Sequence, residues 1–226
     1  MEVTWLGQAG LLFEIGGSNV MIDPYLSDSV SALNPNNKRR IPVDERFLHI
    51  KPDVIILTHN HLDHTDPQTL SHYLTENAGV LVLASMNSWA QIKTMKGNNN
   101  YVLFNRHAEW THNNIRFKAV KAQHSDEHAI GVIIRAEDKC IYITGDTLYS
   151  TEVLEDLPDD INYIFLPING YGNNMNMTDA KRICEKTGAI AIPMHCGMFD
   201  DIDMNRFEYS SKIVPEAFHK IKLNDR

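Results

Sequence analysis

Positive charge and cysteine are both scarce in this chain of 226 residues. Lysine and arginine together number 21 against 29 aspartates and glutamates, which gives a formal net charge of −8. Proteins that bind nucleic acid usually carry a clustered basic face, so this balance disfavours a nucleic-acid partner. The three cysteines, Cys140, Cys184 and Cys196, are odd in number and show no CxxC spacing. Such usage is typical of free thiols in a reducing compartment, and we therefore expect a cytoplasmic protein.

Long apolar runs and a secretion signal are also lacking. The opening MEVTWLGQAGLLFEI has no basic segment followed by an uninterrupted apolar one, which is the pattern of a signal peptide. Nothing approaches the roughly 18 consecutive apolar residues that a membrane-spanning helix needs, so we expect no membrane partner. No low-complexity segment, linker or repeat divides the chain, and we predict one domain over residues 1–226.

What the chain does contain is a series of short β-rich runs with helices between them. Strands are predicted over residues 2–6, 11–15, 20–23, 53–58, 80–84, 101–104, 115–123, 129–135, 140–144, 161–167 and 189–194. Helices are predicted to start at Asp66-Pro67 and to cover 85–96 and 178–187, with short helical segments after residue 194. This order favours a layered α/β architecture with helices outside two sheets.

The densest group of reactive side chains lies in ILTHNHLDHTDP, residues 56–67. His59 and His61 are two residues apart, so in an extended backbone they point the same way and can bind one ion. Asp63 and His64 follow as the chain leaves the strand, where they could serve a second ion. Imidazole and carboxylate groups are ligands of divalent transition metals. The alternative, a solvated histidine-rich loop, is disfavoured by the position between an apolar strand and a capped helix.

Further ligands are expected where other predicted strands end. His124 follows the strand 115–123, Asp146 follows the strand 140–144 in TGDT, and His195 follows the strand 189–194. Loops at one edge of a sheet gather side chains into sites, so these three can complete the two half-sites. His128, four residues after His124, is an alternative ligand, a substrate contact or a surface imidazole.

The order of these motifs resembles that of the metallo-β-lactamase fold superfamily, over residues 3–199. The stretch WLGQAGLLFEIGGSNVMIDP is also similar to that family's first hairpin and I-D-P turn. The resemblance implies a four-layer αββα sandwich with a dinuclear site in the cleft between the sheets. It implies that one ion is bound by His59, His61 and His124, and the other by Asp63, His64 and His195, with Asp146 bridging.

Details of the motifs indicate which branch of this superfamily the sequence resembles most. His61 argues against the flavodiiron branch, which tends to have glutamate there, and Asp146 argues against true β-lactamases, where cysteine is common. The stretch LPINGYGNNMNMTDA is most similar to the L-ascorbate-6-phosphate lactonase-like branch. Asp23 of the I-D-P turn matches a position that supports the site from behind, and Asp66 is a second candidate for that role. Gln8 stands where many relatives have histidine.

The resemblance and the ligand types together predict a metal-dependent hydrolase. Two divalent ions, with Zn²⁺ as the leading expectation and Mn²⁺ or Fe²⁺ as alternatives, lower the pKa of a shared water from about 15.7 toward 7. Asp63 is the predicted catalytic residue, orienting the nucleophile and moving its proton. The leading substrate is a small anionic metabolite, a lactone or ester such as a sugar-phosphate lactone.

Two other functions stay open at this point, namely a phosphodiesterase acting on a small nucleotide or RNA and a non-catalytic metal-binding protein. Homo-oligomer formation is also left open. The basic run at 38–40 could bind a phosphate, although such a run is usually a solvated loop. The candidate substrate-binding residues are His128, Asn169, Tyr171, Asn174, Arg39 and Arg40.

Overall fold

Residues 1–224, which the computed structural model describes, form two β-sheets that face each other. The first sheet has the strand order β13-β1-β2-β3-β4-β5-β6. Its strands are β1 (Glu2–Trp5), β2 (Leu11–Ile15), β3 (Ser18–Ile22), β4 (Val54–Leu57), β5 (Leu81–Ala84), β6 (Asn100–Leu103) and β13 (Lys220–Lys222). The strands from β13 to β3 pair antiparallel, and those from β3 to β6 pair parallel.

The second sheet has the order β12-β11-β10-β9-β8-β7. Its strands are β7 (Glu109–His112), β8 (Ile115–Lys121), β9 (Ile130–Ala136), β10 (Lys139–Ile143), β11 (Tyr163–Pro167) and β12 (Ile190–Met194). The pairs from β7 to β10 are antiparallel, whereas β10, β11 and β12 are parallel. Both sheets therefore contain a parallel part, and the carboxyl ends of those strands, together with the end of β8, supply the loops that build the site.

The main hydrophobic core lies between the two sheets. Alternate residues of each strand face inward, as the two-residue period of a β-strand requires. Phe13 of the first sheet meets Phe165 of the second edge to face, with ring centroids 5.4 Å apart. Both rings are fully buried, and this contact joins the two sheets at the centre of the core.

The helices cover the outer faces of the sheets. They are α1 (Ser29–Leu33), α2 (Pro67–Glu76), α3 (Met86–Ile92), α4 (Thr151–Glu155) and α5 (Met177–Thr187). Leu70 and Tyr73 of α2 pack on the first sheet, and Ile183 of α5 packs on the second. The layers are therefore helix, sheet, sheet, helix, and the predicted αββα sandwich is confirmed. No helix within residues 1–224 combines the length and apolar character that crossing a membrane requires.

Most predicted elements are present, and the differences lie in short or exposed segments. Asp66 caps α2 by accepting from the amides of Gln68 and Thr69, and Gly188 ends α5 in a left-handed conformation at φ +64°, as predicted. The helix predicted over 85–96 ends earlier, at Ile92. The segment after residue 194 was predicted to be helical, but between 195 and 224 it holds one 3₁₀ turn, Met204–Arg206, and strand β13.

Candidate metal centre

The loop after β4 places four candidate ligands at the bottom of the cleft. The amides of His64 and Thr65 both bond the carbonyl of His61, which closes a tight turn directly after the strand. The Thr65 hydroxyl donates to the carbonyl of His59 at 2.7 Å and fixes the start of that turn. Because the turn reverses the chain within a few residues, His59, His61, Asp63 and His64 converge on one region instead of spreading along a strand.

The second sheet brings the remaining ligands to the same place. His124, Asp146 and His195 follow β8, β10 and β12 respectively. The turn before Asp146 needs Gly145, whose φ is +60° and whose added Cβ would lie 2.8 Å from the carbonyl oxygen of Ile130. His195 also has a positive φ, +62°, which is unusual for a residue with a side chain. These backbone constraints aim Asp146 and His195 across the cleft toward the first sheet.

The first group of candidate ligands consists of His59, His61, His124 and Asp146. One ligand atom from each lies within 4.8 Å of the ligand atoms of the others. The Nε2 atoms of His59 and His124 are buried and have no hydrogen-bond partner among residues 1–224. A buried imidazole nitrogen without a partner is costly, and a divalent cation is the natural acceptor of its lone pair. The group therefore fits a metal ion.

The second group consists of Asp63, His64 and His195, all buried. The Nε2 atoms of His64 and His195 lie 3.1 Å apart, and each faces the same Oδ1 atom of Asp146, at 3.2 and 3.1 Å. The other oxygen of Asp146 lies 3.9 Å from Nε2 of His59 in the first group. Asp146 thus stands between the two groups, in the place that a bridging carboxylate would take.

Asp23 holds ligands of both groups from behind. Its Oδ2 accepts from Nδ1 of His64 at 2.8 Å and from the Thr58 hydroxyl at 2.5 Å, while its Oδ1 accepts from the Thr58 amide at 2.8 Å. The same hydroxyl lies 3.1 Å from Nδ1 of His59. A carboxylate can only accept, so Nδ1 of His64 carries a proton, and Nε2 is the atom that would present a lone pair to a metal ion in the cleft.

The pKa values of four imidazoles divide the site into two parts. Burial, with repulsion from His64, lowers the pKa of His59 well below 6.5, and burial lowers the pKa of His124 to about 4. Burial also acts on His64 and His195, but the carboxylates around them outweigh it and raise the pKa of His64 well above 6.5 and that of His195 to about 9. A metal ion bound there would have to displace protons.

Gln8 joins the two halves of the site. Its Nε2 donates to Oδ2 of Asp63 at 3.0 Å and lies 3.2 Å from Nδ1 of His195. Its backbone carbonyl accepts from the indole N–H of Trp5 and from the amide of His195. The residue is buried and holds a left-handed backbone at φ +51°. Sequence reasoning singled out this position but could not show that its amide contacts ligands from both sheets.

A cleft of about 290 Å³ opens above the two ligand groups. Of the substrate-binding residues predicted from the sequence, Tyr171 and Asn174 line it. Asn169 does not line it but donates to the carbonyl of His195, a lining residue, at 2.9 Å. The lining consists of Val30, His61, Leu62, Asp63, His124, Asp146, Tyr171, Gly172, Asn173, Asn174, His195 and Phe199.

The two predicted arginines make contacts elsewhere. Arg39 is buried, and its guanidinium donates to the backbone carbonyls of Tyr25, Leu6 and Ile41. Arg40 pairs with Asp201. Neither arginine lines the cleft. Their contacts hold the loop 38–40 against the rest of the protein and do not support the expected role of this basic run in substrate binding.

Two other candidates also lie away from the ligand groups. His128 is half-buried and its ring faces Glu127 at 3.4 Å, whereas His124 joins the first group. Asp66, expected to support a ligand, instead accepts from Ser29 and Thr69 as the cap of α2. Val30, Leu62 and Phe199 were not singled out from the sequence, because a single apolar residue in a loop carries no pattern that marks it as part of a cleft.

Two facing sheets, with outer helices and a His/Asp cluster at their strand ends, define a metal site of the metallo-β-lactamase fold. A family model described as "Beta-lactamase superfamily domain" matches residues 18–197. A "UPF0173 metal-dependent hydrolase" of Ligilactobacillus salivarius is 31% identical over 96% of this chain and 94% of its own. The chain belongs to this UPF0173 family and is a metal-dependent hydrolase of the metallo-β-lactamase superfamily.

Solved structures share the fold at lower identity. A metallo hydrolase from the archaeon Ignicoccus hospitalis superposes with a TM-score of 0.77 at 19% identity, over 100% of this chain and 99% of the other. An isothiocyanate hydrolase from Delia radicum gut bacteria superposes with a TM-score of 0.77 at 21% identity, over 99% of both chains. At these identities the likeness shows the fold alone.

Proposed function

We propose that this chain hydrolyses a lactone or ester bond of a small metabolite, with two divalent ions bound side by side. The observation that carries the proposal is the position of Asp146, whose two oxygens face ligand groups on either side. Zn²⁺ is the leading metal, and Mn²⁺ or Fe²⁺ suits the same mixture of imidazole and carboxylate ligands. Bound there, two ions would lower the pKa of a water toward about 7 and polarise the scissile carbonyl.

The side chains of the cleft would then guide attack and protonation. The carboxylate of Asp63 is held by the amide of Gln8 and faces the cleft, where it can accept the proton of the attacking water. The new bond joins that water oxygen to the carbonyl carbon, and the bond to the leaving oxygen breaks. The proton on Asp63 passes to the leaving oxygen, so the products are a carboxylic acid and an alcohol.

Beside the geometry of the site, the sequence motifs and one structural neighbour suggest which compounds to include in a panel of substrates for a hydrolysis assay. The sequence motifs resemble the L-ascorbate-6-phosphate lactonase-like branch, which makes a sugar-phosphate lactone one member of the assay panel. The isothiocyanate hydrolase with the same fold suggests another electrophilic carbon that water attacks, and an isothiocyanate belongs in the panel for that reason. A phosphodiester, bis-p-nitrophenyl phosphate, represents the remaining hydrolytic alternative.

The test combines metal content with hydrolysis. Protein purified without added metal is analysed for bound elements, stripped with a chelator, reconstituted separately with Zn²⁺, Mn²⁺ and Fe²⁺, and assayed on the panel. We expect about two ions per chain and turnover of a lactone or ester that disappears on chelation and returns on reconstitution. Fewer than one ion per chain, together with no turnover after reconstitution, would refute the proposed hydrolase function.

A further inference from the structure

The walls of the cleft above the ligand groups are apolar and aromatic. Val30, Leu62, Tyr171 and Phe199 line it, and among the residues that the structure describes no lysine or arginine does. Resting on the hydrolase function proposed above, we infer that the substrate carries an uncharged apolar or aromatic group beside its scissile bond. A substrate with a second, remote anionic group, such as a sugar phosphate, is disfavoured by the same walls.

The aromatic wall is a flat stack at the mouth of the cleft. The rings of Tyr171 and Phe199 are parallel within 5°, with centroids 4.9 Å apart, and Phe199 in turn lies within 14° of the plane of the His195 ring. Tyr171 is 53% exposed, which is high for a large aromatic side chain. A stack that begins at a candidate ligand and ends in solvent offers a continuous surface to a planar or apolar group of the substrate.

The aliphatic part of the lining, Val30 and Leu62, is held by a buried cluster that also contacts Phe199. Val30 belongs to α1, and its amide contacts the Tyr25 hydroxyl at 3.2 Å. Val30, Tyr25 and Met198 form a small buried cluster against which Leu62 and Phe199 pack. The volume of the cleft, about 290 Å³, is near the lower end of the range for small-molecule sites, which is about 300–1,000 Å³. Its size therefore fits one ring and the group being cleaved.

The basic residues near the site are engaged elsewhere or lie outside the lining. The Arg39 guanidinium donates to three backbone carbonyls, and Arg40 pairs with Asp201. Lys38 is exposed and does not line the cleft. A phosphate is bound well by arginine forks or lysine, and in an apolar enclosure without them it loses hydration and gains nothing in return. Ions held by the candidate ligands would neutralise charge only at the scissile group itself.

One buried polar atom completes the recognition surface. Asn174 lines the cleft, is 5% exposed, and its Oδ1 has no hydrogen-bond partner among residues 1–224. The loop that carries it is tied across the cleft, since Asn173 donates to the Ser125 hydroxyl at 2.8 Å. One fixed polar contact between apolar walls is the usual composition of a small-molecule site that orients a mainly apolar ligand.

The experiment compares three lactones that share a γ-butyrolactone ring and differ in one substituent: phenyl, hydroxymethyl and phosphooxymethyl. With the zinc-reconstituted protein, we expect kcat/KM for the phenyl lactone to exceed that for the phosphooxymethyl lactone at least about tenfold. Equal or better hydrolysis of the phosphooxymethyl lactone would overturn the inference and leave the hydrolase proposal intact. If the protein hydrolyses none of the three lactones and no simple ester, the hydrolase proposal itself is wrong.

Variants of the aromatic wall supply a readout that does not depend on turnover. Binding of the product 4-hydroxy-4-phenylbutyrate is measured by calorimetry, together with metal content. Tyr171→Ala should weaken this binding and raise KM for the phenyl lactone about five- to tenfold at unchanged metal content. Tyr171→Phe should retain both values, and Trp110→Ala, which removes an exposed aromatic ring of β7 outside the cleft, should change neither. Unchanged binding in Tyr171→Ala would contradict the inference.

Discussion

Replacing Asp23 with asparagine would perturb both ligand groups through one side chain. Asparagine has the same shape and tolerates the left-handed backbone that Asp23 adopts at φ +43°, so the chain path should not change. Its oxygen can still accept from the Thr58 amide, and the Thr58 hydroxyl can rotate to accept from the new NH₂ group. The N–H at Nδ1 of His64, however, now faces another donor instead of the carboxylate at 2.8 Å.

The size of the effect of Asp23→Asn follows from the one N–H of His64 that loses its acceptor. Leaving one buried N–H unpaired costs about 1–3 kcal/mol of folding free energy. His64 can avoid the cost by moving its proton to Nε2, but this nitrogen is the one that faces Asp146 and would bind metal. Loss of such a supporting carboxylate typically weakens metal affinity about 10- to 100-fold, so the second ion should be bound that much more weakly in Asp23→Asn.

The Zn²⁺ affinity is measured by competition with a chromophoric chelator. Unfolding of the same samples in urea is monitored by circular dichroism. Asp53→Asn is the matched control, since Asp53 also accepts from a backbone amide, that of Asn19 at 2.8 Å, but contacts no candidate ligand. We expect the control to keep wild-type affinity for both ions. If Asp23→Asn binds both ions as tightly as the wild type does, the role assigned to Asp23 is wrong.

Three further predictions concern turnover and stability. Asp63→Asn should lower kcat at least about 100-fold while Lys38→Ala leaves it unchanged, and equal effects in a steady-state assay would refute the assignment of roles. Gly145→Ala should lower the free energy of unfolding in urea by about 1–3 kcal/mol, because the backbone there has φ +60° and the added Cβ would press on the Ile130 carbonyl of β9; an unchanged midpoint would contradict this. Asp156→Asn should cost about 1–2 kcal/mol, because Asp156 binds the Arg106 guanidinium through both oxygens. The Arg106 hydrogen bond lowers the pKa of Asp156 below 3.8, so this contribution is complete well above pH 3.8 and is lost as the pH falls through the lowered value. A difference between wild type and variant that does not shrink as the pH is lowered below 3.8 would disprove it.

The candidate ligands could be found from the sequence because their signals are local. His59, His61, Asp63 and His64 sit within six residues behind an apolar strand, and strand ends in an α/β fold meet at one edge. The capping residue Asp66 was recognised by the same local logic, since a side chain before proline at a helix start has few other roles.

What the sequence did not reveal depends on contacts between distant segments. Strand β7 is mostly exposed, so it shows no alternation of apolar and polar residues, and β13 pairs with β1 from the opposite end of the chain. The burial of Arg39 could not be seen either, because its partners are backbone carbonyls brought together by the fold. A charge run looks the same in a sequence whether it meets solvent, a phosphate or the backbone.

The proposed binding of two ions on either side of Asp146 is tested most directly by anomalous diffraction at the zinc edge from crystals of the reconstituted protein. We predict two peaks per chain about 3.5–4 Å apart, one beside His59 and His124 and the other beside His64 and His195. A single peak, or peaks away from these side chains, would contradict the dinuclear site on which the proposed hydrolysis depends.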